Sequence, residues 1–418
     1  MRSILKRYKV LVENFFSLSV LNGLNALLPL IILKYLSKTI TDAQYGSYYY
    51  IYTLIQILIL ISNYGFNFSA TKLISENRYN RNHVNIIFNA VIVSKAILAT
   101  ISVITVFIFS KWLLDSSSLM FMFILGIGML IGDIVTPTWL FQGMEKMKYM
   151  TIVNSLSKII FTLLVFVFVK GQEDYTRLLL LNSCGYIMAG ALSVLLVYRE
   201  FNLRFARVSL SDIKFQLKEG ATVFGSTMGI NLYRRANVII LKHFVPDNVL
   251  GVYSIAEQSV RGIQSLINPV VQVLFPHLSL KFKDKSYQDN IALLRKIAIP
   301  FASILIVAFG VCFYFAPLII RIMSDITIYS GSISLFRWLS PVIIFGEMNY
   351  LLGIVGLINM NRQSRFLMAV LISGITSVLF LFVLVPFIGA TAAAISMSIA
   401  EIILFIICII ELKKKDKK

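Results

Sequence analysis

Charge is scarce in this chain, and acid is scarcer than base. Of 418 residues 14% are charged, with 20 Asp and Glu against 39 Lys and Arg, while 58% are hydrophobic. With a mean hydropathy of +0.81, this excludes a water-soluble globular domain and marks an integral membrane protein. Cys184, Cys312 and Cys408 all lie inside hydrophobic runs without close spacing, which excludes a disulfide framework. His83, His243 and His277 sit at separate span ends with no metal-ligand spacing, so no metal or cofactor is expected. No G-x-x-x-x-G-K-[ST] loop occurs and no gap is long enough for a nucleotide-binding domain, which leaves a gradient or a partner as the energy source. The outward gaps hold little acid beyond Glu173 and Asp174, and the larger inward gaps, 199–216 and 277–292, are basic and lack paired carboxylates. A sugar-transferring enzyme has nowhere to place its acid and base, so no catalysis is expected.

What is present is a series of apolar runs. The first ends near Leu33, and others lie near 45–65, 84–110, 119–141, 151–169, 178–198, 217–241, 249–276, 293–316, 333–358, 366–385 and 388–411. Each approaches the ~20 residues that cross a ~30 Å hydrocarbon core, so twelve transmembrane helices are expected. The opening MRSILKRYKVLVENFF is basic and lacks an A-x-A-like cleavage site, which predicts a retained first span. Basic residues concentrate in the gaps on one side: 26 there, from Arg2 to the KKKDKK tail, against 7 on the other. By the positive-inside rule both termini are cytoplasmic, and the excess of base needs no nucleic-acid partner.

An internal repeat divides the chain. Asp42, Gly46 and Tyr48 in TDAQYGSYYY recur at a constant offset as Asp247, Gly251 and Tyr253 in PDNVLGVYSI, each in the turn between the first two spans of a six-span half. Two six-helix lobes, 1–198 and 217–411, follow, joined by a cytoplasmic linker at 199–216 and trailed by a basic tail at 412–418. An even number of spans per half makes the repeat parallel, with a pseudo-two-fold along the membrane normal and a substrate site expected between the halves. Gly128 with Gly132, and Gly225 with Gly229, are pairs that permit close helix contact. Pro29, Pro137, Pro269 and Pro341 interrupt apolar spans.

Against this apolar background, Asn231 to Gln272 stands out. Arg234 and Arg235 lie inside one span and Arg261 inside the next, where an arginine costs roughly 2.5–3.5 kcal/mol on insertion scales and so faces a bundle interior or a wet cavity. Glu257, Arg261, Gln264, Asn268 and Gln272 form one polar stripe at helical spacing. A self-contained Glu257–Arg261 pair is the structural alternative, but it leaves Arg234 and Arg235 unexplained. Six cations fall within spans (these three with Lys95, Lys158 and Arg337) against four acids, Asp133, Glu257, Glu347 and Glu401, so the interior is read as net positive. Lys158 and Arg337 are near enough to span ends to snorkel; Lys95 is near mid-span and is expected to face a cavity.

NYGFNFSATKLISENR (Asn63 to Arg78), PTWLFQGMEKMKYMT (Pro137 to Thr151) and RRANVIILKHFVPDNVLGVYSIAEQ resemble the polysaccharide-biosynthesis branch of the multidrug/oligosaccharidyl-lipid/polysaccharide (MOP) exporter superfamily. More narrowly they are similar to the O-antigen or capsule repeat-unit flippases. The resemblance implies a MATE-like bundle in the bacterial inner membrane that moves an undecaprenyl-pyrophosphate-linked oligosaccharide across the bilayer by alternating access. On that reading Arg234, Arg235, Arg261 and Lys95 neutralise the pyrophosphate. Asn25, Gln56, Asn63, Asn231, Gln264 and Asn268 bond the sugars, and Asp133, Glu257 and Glu347 are candidates for coupling to H+ or Na+. Partners are the lipid-linked oligosaccharide, membrane lipids and other polysaccharide assembly proteins. The competing reading is an ion-coupled multidrug exporter of the same fold, which calls for a neutral or acidic cavity.

Overall fold

The computed structural model describes residues 23–24, 27–283, 286–324, 330–360 and 362–414, with backbone alone at 222–223, 226–233, 268–270, 272–277, 279–281 and 283. Among these the regular elements are all helices, with no strand. After a helical stretch over 27–39 come α1 (Asp42–Asn63), α2 (Phe66–Asn77), α3 (Arg81–Ile108), α4 (Ser117–Ile134), α5 (Thr138–Gly143), α6 (Met147–Phe168) and α7 (Leu178–Phe201). Then follow α8 (Leu210–Lys242), α9 (Asp247–Lys283), α10 (Tyr287–Tyr314), α11 (Ala316–Met323), α12 (Ser332–Leu339), α13 (Pro341–Asn349), a π-helical stretch (Tyr350–Ile358), α14 (Gln363–Ile388) and α15 (Ala390–Lys413).

Among the described residues nine helices are long and apolar enough to cross a membrane. They match nine of the twelve expected spans. The expected seventh and eighth correspond to α8 and α9, of 33 and 37 residues, which carry the embedded arginines; most of the first lies outside the described residues. Two of the prolines act as expected. Pro137 caps α5 after a break at Ile134, and Pro341 opens α13 immediately after α12 ends, the first-turn position where its missing N–H has no helical partner to lose.

The chain forms two compact units. In the first, which contains Tyr50–Met228, Phe66, Phe88, Trp139 and Phe141 form a fully or almost fully buried aromatic core. Lipid tails are as apolar as leucine, so helices here associate through close packing and polar contacts. A Cβ built at Gly132 would lie 2.4 Å from the Tyr186 backbone, and one at Gly185 would lie 2.5 Å from the Ser157 carbonyl oxygen, so α7 lies close against both α4 and α6. Ser183 adds a hydrogen bond to the Leu125 carbonyl (2.7 Å).

The second unit contains Pro29–Tyr49 together with Gly229 onward, so the first two turns of α1 belong to it. They begin with a reciprocal cap: Gln44 N donates to Thr41 Oγ1 (3.3 Å) and Thr41 N to Gln44 Oε1 (3.0 Å). Here the two copies of the repeat meet. A Cβ on Gly46 would lie 2.0 Å from the Asp247 carbonyl oxygen, and a Cβ on Gly251 would lie 2.0 Å from the Asp42 carbonyl oxygen. Exchanging each residue for its repeat mate turns one contact into the other, the signature of a two-fold relation. Ser47 donates to Asp247 Oδ2 (2.6 Å) across the same junction. Neither glycine is dictated by backbone dihedrals; each is required by the approach of one helix backbone to the other.

Candidate functional site

The charged side chains of the second unit gather around α8, α9, α13 and α15. Arg234 on α8 donates through Nε (2.9 Å) and Nη2 (2.6 Å) to Oε1 of Glu401 on α15. The other oxygen of Glu401 accepts from Asn349 Nδ2 (2.8 Å), which also reaches the Glu401 carbonyl (2.9 Å). Glu401 is fully buried, whereas the Arg234 side chain keeps 24% of its surface exposed. One turn apart on α9, Arg261 donates through Nε (3.0 Å) and Nη2 to Glu257, whose second oxygen accepts from Tyr49 Oη (3.3 Å). Glu257 is 1% exposed and Arg261 35%, with no bond to Nη1 among the described residues.

Beside Arg234 lies a cavity of about 80 Å³, lined by Gln264, Gly346, Glu347, Asn349 and Tyr350 among others. It is polar and roomy enough to hold water. Two acceptors are buried here without a hydrogen-bond donor among the described residues, Glu347 Oε2 and Asn349 Oδ1. The π-helical stretch begins at the next residue, a departure from α-helical hydrogen bonding that recurs at functional sites.

The first unit has a smaller polar centre. Lys95 on α3 donates to the Asp133 carbonyl (2.7 Å) and carboxylate (3.0 Å), and Asn63 Nδ2 donates to the same carboxylate (3.1 Å). The Lys95 side chain is 1% exposed.

These contacts correct the sequence reading in three respects. Lys95 is buried against Asp133 and does not face a cavity. The Glu257–Arg261 pair exists, and Arg234 has its own carboxylate in Glu401, a partner that the sequence left undecided. The charged side chains of the second unit's cluster are Arg234 and Arg261 with Glu257, Glu347 and Glu401, and Arg235 is half-buried one residue beyond Arg234. Three of the six cations placed within spans thus have carboxylate partners, Lys95 in Asp133, Arg234 in Glu401 and Arg261 in Glu257. The physical reason is that a lone charge in a low-dielectric interior costs several kcal/mol, and a partner carboxylate offsets it. Of the amides, Asn63 bonds Asp133, Gln56 donates to Tyr186 Oη (3.3 Å) and Gln264 donates to the Val342 carbonyl (3.1 Å). Asn25 and the side chains of Asn231 and Asn268 lie outside the described residues. Asn349, absent from the sequence reading, is drawn into the site by its bonds to Glu401; its place two residues after Glu347 was the available signal.

Residues 11–282 match the family described as polysaccharide biosynthesis protein. The chain belongs to that family. Its curated relatives include the "Putative O-antigen transporter" of Escherichia coli (strain K12), 28% identical over 394 residues that cover 93% of each chain. A protein of the same name in Shigella dysenteriae is 27% identical over 398 residues, covering 94% of this chain and 97% of the relative. Among solved structures, the lipid II flippase MurJ in an inward closed conformation superposes with a TM-score of 0.77 at 12% identity, over 96% of this chain and 88% of that one. An inward-facing multidrug resistance MATE family transporter of the MOP superfamily gives 0.70 at 12% identity, over 91% and 94%. At such identities the likeness fixes the fold, which is that of the MOP superfamily. As a family member, this multi-pass membrane protein is placed in polysaccharide biosynthesis.

Proposed function

We propose that the protein flips undecaprenyl-pyrophosphate-linked oligosaccharide repeat units from the cytoplasmic to the outer leaflet of the bacterial inner membrane by alternating access, with both termini cytoplasmic. The observation that carries this reading is the match of two full-length O-antigen transporter relatives over nine-tenths of the chain. The paired arginines support it on chemical grounds. A guanidinium has five N–H donors in a fixed fork, and a carboxylate on its Nε/Nη2 edge leaves the opposite edge for phosphate oxygens. Arg261, more than a third exposed and with its Nη1 donors unbonded among the described residues, suits that role best. Lys95, already enclosed, is assigned to holding Asp133.

Of the three candidates for ion coupling, Asp133 and Glu257 are committed to Lys95 and Arg261. Glu347, with one oxygen buried beside the cavity and without a donor among the described residues, is the one to which a proton or Na+ would bring a partner. Glu347→Gln is expected to remove the dependence of export on an imposed ion gradient, measured in vesicles; an unchanged dependence excludes it.

The test of substrate class is a deletion strain. Surface glycan is expected to disappear and lipid-linked glycan to accumulate on the cytoplasmic leaflet, while retention of radiolabelled cationic drugs stays unchanged. Altered drug retention with normal surface glycan would favour the multidrug reading. Arg235→Ala or Arg261→Ala is expected to abolish surface glycan with the protein still in the membrane, and Arg→Lys to retain part of the activity. Normal export by the alanine variants makes those arginines structural.

A further inference from the structure

The first unit carries a built feature that the flippase reading does not use. Beyond α7, which ends at a left-handed Asn202, the chain over 203–206 leaves the helix, and two asparagines of α3 hold its backbone. Asn85 Oδ1 accepts from Arg204 N (2.9 Å), Asn89 Oδ1 accepts from Ala206 N (2.9 Å), and Asn89 Nδ2 donates to the Arg204 carbonyl (2.9 Å). Arg81 Nε donates to the Asn202 carbonyl (3.0 Å). The course of the segment is therefore fixed: Leu203 turns inward at 3% exposure, while Arg204 and Phe205 point outward.

Between this segment, Phe88 and the end of α7 lies a cavity of about 310 Å³. Its floor is apolar, formed by Phe88, Val194, Val197 and Leu203, and its rim is Tyr198, Arg204 and Phe205. The Arg204 guanidinium lies 5.7 Å from the Tyr198 ring centroid. It donates no hydrogen bond among the described residues, and neither do the exposed Arg199 and Arg207 beside it. The acid nearest in sequence, Glu200, accepts from Tyr149 Oη (2.5 Å). Unopposed positive charge thus stands at the mouth of a greasy slot, at the ends of two spans on the side where basic residues concentrate.

We propose that this cavity binds one anionic phospholipid of the bilayer, with an acyl chain in the slot and the phosphate on Arg204. The volume is at the lower end of ligand sites. Arginine with a flanking aromatic suits the interface between hydrocarbon and phosphate. The rim offers no amide or carboxylate to bond sugars, since Asn85 and Asn89 are engaged with the segment itself, which favours a bilayer phospholipid over the lipid-linked substrate. The proposal stands independently of the flippase reading.

Native mass spectrometry of the full chain in mild detergent, titrated with phosphatidylglycerol and separately with phosphatidylethanolamine, tests it. One phosphatidylglycerol is expected to be retained preferentially, and Arg204→Ala to weaken its binding about tenfold, the loss of one charge-assisted contact. Val194→Phe, which fills the slot without altering charge, is expected to weaken both lipids. Equal retention of the two lipids by the unaltered protein, or unchanged phosphatidylglycerol binding in both variants, overturns the proposal. Displacement of phosphatidylglycerol by undecaprenyl phosphate at equimolar concentration would assign the slot to the substrate's prenyl chain and overturn it also.

Discussion

Glu401→Ala is expected to destabilise the second unit by about 3–5 kcal/mol, the typical cost of removing one member of a buried ion pair. Glu401 is fully enclosed and holds Arg234 by two hydrogen bonds and Asn349 by a third. Without it the guanidinium keeps its charge inside a bundle, and Asn349 loses an acceptor. The protein should leave detergent solution at a much lower temperature, seen as a shifted thermal unfolding transition. Glu401→Leu combined with Arg234→Met, which removes both charges at similar volume, should recover most of that stability while leaving export impaired. Equal thermal stability of the unaltered protein and Glu401→Ala would show that the pair holds nothing together.

Gly46→Ala and Gly251→Ala are each expected to cost about 1–3 kcal/mol or more, as overpacking does. The obstruction in both cases is a backbone carbonyl, which cannot swing aside as the tip of a side chain can. Because the two contacts are related by the repeat, the variants should behave alike in thermal unfolding and in export. Gly310→Ala makes a suitable control, since a Cβ there meets nothing within 4 Å. Markedly unequal losses at 46 and 251 would argue against a symmetrical junction.

How much of this was legible in the sequence depended on the distance over which the relevant groups act. Asp42, Gly46 and Tyr48 announced the repeat because two equivalent helix starts pack on one another and each needs a glycine at the close approach, although the sequence placed them in a turn and the structure places them in the helices themselves. Glu257 and Arg261 were readable as a pair because four residues is one helical turn. Arg234 and Glu401 are 167 residues apart, and nothing local marks them as partners; a charge count over the spans therefore gave an excess of base without showing which cations are paired. Lys95 was misplaced for the same reason, its acid lying on another helix. Pro341 marked the break before α13, but the π-helical stretch after Asn349 carries no residue signature of its own and emerged only with the backbone.

Transfer of an undecaprenyl-pyrophosphate-linked oligosaccharide between leaflets, followed in proteoliposomes of the purified chain, tests most directly whether arginines held by buried carboxylates pass a diphosphate through the membrane. Transfer is expected with the unaltered protein, at a reduced rate with Arg261→Lys, and not above protein-free background with Arg261→Ala. Transfer by Arg261→Ala at the unaltered rate, with the protein folded and correctly inserted, contradicts it.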